Sequence, residues 1–165
     1  MKFLFITFAL LVANCFSPRI AKTRVLMNYI PADVRIELLE LQKTIQENIG
    51  TKVQWIDTHP LCKKGLYGAY IPAMDTLFVC VGNHQGDWEE LKGTTRHEGW
   101  HAVQHKCNGY RAALKDTQIR PHLKPRDKRT LHQYHPKQHR AEAEARVVEQ
   151  IPTFNLIKGV KQYCS

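Results

Sequence analysis

The chain has 165 residues, 43% of them hydrophobic and 24% charged, with a formal net charge of +9. These values describe a folded globular protein with one modest core and exclude a mostly disordered chain. No internal repeat or low-complexity segment is present.

In chain order, residues 1–17 read as a signal peptide. Lys2 precedes an apolar run from Phe3 to Ala13, and Ala13-Asn14-Cys15 resembles a small-x-small cleavage site. The run is too short for a stable membrane span. A secreted or periplasmic protein is therefore expected; the alternative is a start at Met27 and a cytoplasmic chain. Residues 18–29 read as a linker and 30–165 as a single domain. An exported chain would keep Cys62, Cys80, Cys107 and Cys164, enough for two disulfides in any of three pairings.

Val34, Ile36, Leu38, Leu39, Leu41 and Ile45 give residues 32–49 a helical period, with Pro31 before the helix and Gly50 to end it. Lys52 to Asp57 alternates as a strand. Gly65 to Ile71 and Thr76 to Val81 read as a hairpin around the turn-like Pro72-Ala73-Met74-Asp75. Asp87 and Glu90 have the spacing of a capping box. A helix is expected from Trp88 to about Lys106, strained at Gly93 or else starting afresh after Thr94, and stopped by Asn108-Gly109. About thirty residues with Pro121, Pro125 and Pro136 then read mostly as loop, with room for a short turn of helix. Gln138 to Gln150 is helical again, and Pro152 halts it.

His97-Glu98-Gly99-Trp100-His101 within the long helix spells HExxH. Residues four apart share a helix face, so both imidazoles can reach one metal ion. At about 100° per residue from His97, His101 falls at about 40° and Gln104 at about 340°, while Trp100, Val103 and Cys107 make a core-facing stripe. Glu98 falls at about 100°, beside the histidines, where it can take a proton from a water on Zn²⁺. His105 has rotated away and reads as a surface residue.

A catalytic zinc site needs a third protein ligand. Gln104 and Cys107 stand where HExxHxxGxxH requires Gly and His, which excludes that class. The convincing source is the later helix, with Glu142-Ala143-Glu144-Ala145. Here the chain resembles the gluzincin branch of zinc metallopeptidases, in which a downstream helix bears E-x-x-A. The resemblance implies that His97, His101 and Glu142 bind zinc, that Glu98 is the general base and acid, and that Ala145 lets the two helices approach. Glu144, set in the apolar arc of that helix, is the alternative third ligand, since an unpaired carboxylate there would be costly. Arg146 stands where several gluzincins carry Asp or Asn, which argues against a carboxylate from this helix behind the ligands.

The expected fold is α+β and zincin-like: an N-terminal helix and a small twisted sheet packed on the HExxH helix, with a C-terminal ligand-bearing helix. Thr76 to Cys80 is nominated as the edge strand along the cleft. Tyr134, His132, His135 and His139 are nominated to steady an oxyanion. The expected function is a zinc-dependent metallopeptidase acting on a peptide or protein substrate. Nine cations between Arg111 and Arg140 (Arg111, Lys115, Arg120, Lys124, Arg126, Lys128, Arg129, Lys137 and Arg140) face only Asp116 and Asp127, as a solvated loop or a surface for an anionic partner. They support the alternative, a non-catalytic secreted basic binding module. That stretch lacks the aromatic interleaving of a nucleic-acid platform, so no specific nucleic acid is expected.

Overall fold

A computed structural model describes residues 27–57, 59–62 and 65–164. The segment read as a signal peptide and most of the linker lie outside the described residues. Met27 and Ile30 are buried in the core, so the folded unit reaches further back than residue 30.

The architecture is α+β. Among the described residues, six α-helices surround a mixed three-stranded sheet: α1 Ala32–Ile49, β1 Lys52–Ile56, β2 Gly68–Ile71, β3 Thr76–Cys80, α2 Trp88–Asn108, α3 Asp116–Ile119, α4 Pro125–Thr130, α5 His139–Val148 and α6 Thr153–Tyr163. None of these helices is long and apolar enough to cross a membrane.

Helix α1 keeps its predicted bounds. Gly50 ends it at φ 78, a conformation that glycine adopts without a Cβ penalty. The predicted hairpin forms, with β2 antiparallel to β3 and Tyr70 opposite Leu77. Strand β1 pairs with β3 in parallel, giving the order β1-β3-β2. This corrects the nomination of Thr76–Cys80 as the edge. Every residue of β3 is buried and the strand is central, so the outer strand beside α2 is β2. The physical reason is legible in the unbroken Leu77-Phe78-Val79-Cys80 run, which suits burial on both faces.

Helix α2 runs unbroken through Gly93. Its cap is half of the predicted box: Asp87 accepts the Glu90 N–H at 3.0 Å, while the Glu90 carboxylate lies 3.5 Å from His84 instead. Gly109 at φ 58 ends it. This helix touches β2, β3, α1, α5 and α6, and the core gathers around it. Leu38, Leu41 and Ile45 of α1, Trp55, Leu77 and Val79 of the sheet, and Leu91, Trp100 and Val103 of α2 pack together. Gly99, inside HExxH, lets α1 approach closely, because a Cβ there would lie 2.9 Å from the end of the Ile45 side chain, which would have to shift.

The segment after α2 holds more helix than the one short turn expected: α3, α4 and two 3-10 turns, Leu131–Gln133 and Pro136–Gln138. Ile119 and Leu123 bury against Ala143 and Val147 of α5, which orders α3 and the chain after it. Apolar contact thus covers α5 on two sides, one against that segment and one through Ala145 and Val148 against the main core. Helix α6, absent from the sequence reading, packs Leu156, Ile157 and Val160 into the same core. Of the three possible pairings, the disulfides are Cys62–Cys80 and Cys107–Cys164; the second ties the end of α6 to the end of α2.

Candidate metal centre

Helices α2 and α5 pack against each other, and their facing sides bring His97, His101 and Glu142 together. The two Nε2 atoms are 3.1 Å apart. Glu142 Oε1 lies 3.3 Å from His101 Nε2, and Oε2 lies 3.5 Å from His97 Nε2. One ligand atom from each residue falls within 4.8 Å of the others.

The other face of each imidazole is fixed. His97 Nδ1 lies 3.2 Å from Glu149 Oε2, and His101 Nδ1 lies 2.8 Å from Gln104 Oε1. The Gln104 amide nitrogen donates to Ala141 O at 2.9 Å and to Glu144 Oε2 at 2.7 Å, so its oxygen must be the atom facing His101. Both partners of Nδ1 are therefore acceptors. They hold the proton on Nδ1 and leave the Nε2 lone pairs aimed at one point, as metal-binding histidines require.

Two imidazole nitrogens and a carboxylate converge in a largely buried site that favours positive charge, either a proton on His97 or a metal ion. Burial disfavours the charged form of His97, but Glu142 and Glu149 outweigh it and push its pKa up to about 9. Burial likewise favours a neutral Glu142, but His101 and His97 outweigh it and hold the carboxyl at about 2. Glu142 Oε2 is buried and makes no hydrogen bond. An orphaned carboxylate oxygen beside two oriented imidazoles fits a divalent ion, and nitrogen and oxygen donors of this kind suit zinc.

Glu144 faces elsewhere. It is fully buried, and its carboxylate accepts the Ala113 N–H at 2.9 Å, the Leu114 N–H at 2.5 Å and the Gln104 amide. The cost of burying it is met by these donors, which pin the chain after α2 onto α5.

Sequence reasoning missed Glu149. Arg146 occupies the position where a carboxylate was sought, yet the carboxylate comes from the residue just past the end of α5. Arg96, next to His97, holds it there by donating from Nε and Nη2 to the Glu149 carbonyl at 3.0 and 2.8 Å. Gly93 leaves room for it, since a Cβ there would meet Glu149 Cγ at 3.3 Å. Arg146 Nη1 lies 3.5 Å from Glu149 Oε2. Gly93, one of two glycines inside α2, is the signal the sequence offers, since a glycine that interrupts a helical pattern often has a packing reason. If zinc occupies this centre, replacing Glu149 with Ala should weaken its binding by about 10–100-fold, measured by chelator competition, with the fold retained.

Glu98 projects to the side, as the helical period requires, and Oε2 accepts the Tyr70 N–H at 2.8 Å. Gly68 leaves room beside this bond: a Cβ there would lie 2.6 Å from the Thr94 methyl and 3.1 Å from Glu98 Cγ. His105 corrects its surface reading. It is half-buried, 2.5 Å from the Tyr70 hydroxyl, and its ring packs on Tyr110. Of the residues nominated for an oxyanion, Tyr134 meets Arg146 at 3.3 Å and His139 bonds the Tyr134 carbonyl. His132 bonds Arg129 O, and His135 accepts the Lys137 N–H. Among the described residues, none of the four is bonded to the imidazoles or to Glu142.

No family model, curated protein or solved structure matches this chain.

Proposed function

We propose that this chain is a zinc-dependent peptidase of the gluzincin type, with a zincin-like arrangement of its HExxH helix, sheet and ligand-bearing helix. One observation carries the reading: two oriented imidazoles and the orphaned oxygen of Glu142 converge, with Glu98 adjacent in sequence on the same helix. Zinc held by His97, His101 and Glu142 would polarise a peptide carbonyl and acidify a water. Glu98 serves as the base that takes the proton and as the acid that returns it to the leaving amine. The Tyr70 N–H steadies its carboxylate. Glu149 and Gln104 keep both imidazoles in register.

Strand β2 supports a peptide substrate. It is an outer strand of the sheet and lies against α2, the helix that carries Glu98, so an extended chain could add along its open edge. Two disulfides together with the N-terminal apolar run support export.

The test is hydrolysis. The zinc-loaded chain should release fragments from a mixture of peptides. Chelation should stop the reaction and added zinc should restore it; cleavage that is indifferent to chelation would defeat the reading.

A further inference from the structure

Beyond the end of α2 a pocket of about 450 Å³ opens between that helix and the start of α5. Its walls include Tyr110, Arg111, Lys137, Arg140 and Ala141, and no carboxylate lines it. Arg140 is already engaged, with Nε on Asp116 at 2.7 Å and Nη2 on the Leu114 carbonyl at 2.8 Å. Arg111 and Lys137 are exposed and have no acidic partner among the described residues. Two free cations and a held guanidinium around one concavity favour an anion.

Side-chain contacts link the pocket walls to the metal centre along two routes. On the α5 side, Ala141 precedes Glu142 and its carbonyl takes the Gln104 amide that also holds His101. On the other side a continuous strip of contacts runs from Glu98 to the Tyr70 amide, from the Tyr70 hydroxyl to His105, and from His105 to Tyr110 at the pocket wall. From His101 to Asn108 the helix rises about 10 Å at 1.5 Å per residue. An extended peptide at about 3.3 Å per residue covers that distance in roughly three residues.

The geometry points to a subsite that binds an acidic side chain of the substrate, two to four residues from the bond that is cut. This inference rests on the peptidase reading for the word substrate, but the binding it requires can be measured without catalysis. A peptide carboxylate suits the subsite better than an anionic polymer, because the charge is concentrated in one concavity about 10 Å along α2 from His101.

The experiment titrates the zinc-loaded chain with fluorescent peptides of equal length that differ only by Glu or Gln at one position. The Glu peptide at the right position should bind roughly tenfold tighter or better, the order of one well-placed charge pair. The double variant Arg111→Glu/Lys137→Glu should erase that difference and leave the Gln peptide unaffected. Equal binding of the two series, or a preference that survives the double variant, overturns the subsite. Tight, salt-dependent capture of a sulfated polysaccharide or DNA without discrimination among the peptides overturns it too, and assigns the cations to polymer docking. Acid-selective binding with no cleavage of any peptide keeps the subsite and defeats the peptidase reading instead.

Discussion

Replacing Glu98 with Gln should lower the rate of peptide cleavage by about a hundred- to ten-thousandfold while zinc stays bound. The imidazoles are held by Glu149 and Gln104, and the one carboxylate of the proposed ligand set comes from α5, so none of these three groups depends on Glu98. Gln has the same shape and keeps an oxygen for the Tyr70 N–H. It differs in having no proton affinity in the useful range. The loss should therefore fall on kcat, with KM for a good substrate little changed. Steady-state kinetics beside metal analysis of the same sample decides it. Cleavage that survives the change at near wild-type rate would remove Glu98 from the chemistry.

The second large effect separates two carboxylates that are two residues apart. Glu142→Ala should abolish zinc uptake and with it the stabilisation that zinc confers, about 2.7 kcal/mol at a hundredfold excess of free zinc over Kd. Glu144→Ala should do the reverse. It would leave the Ala113 and Leu114 N–H groups and one of the two Gln104 N–H bonds without an acceptor, at a cost of about 3–5 kcal/mol before any metal is added. Denaturant unfolding of each variant with and without zinc gives the two patterns. If Glu144→Ala were as stable as wild type and Glu142→Ala still responded to zinc, the roles assigned to these residues would be exchanged.

Local features of the site were legible in the chain because helical geometry is local. HExxH puts two imidazoles on one face whatever surrounds it, and Asp87, Asn108 and Gly109 mark the ends of its helix. Glu142 was reachable only through resemblance, since period alone places it on the polar side of α5, and its burial comes from packing against α2. Glu149 was hidden for a tertiary reason. It reaches His97 from beyond the end of its helix, because Arg96 holds the main chain there and Gly93 makes room. The position of β3 depends on a parallel pairing with β1 across an intervening strand, which no local pattern states, although its unbroken apolar run was a hint. Between Arg111 and Arg140 the prolines and cations masked two isolated core residues, Ile119 and Leu123. Pro152 was read only as a stop; it is also the residue from which α6 starts.

Metal content after mild dialysis tests the central claim most directly. Mass spectrometry of the intact folded chain should find one zinc per chain in the wild type and none in a folded His97→Ala variant. A folded wild-type chain that takes up no zinc even when zinc is supplied, or a His97→Ala variant that holds it equally well, would contradict the metal centre described here.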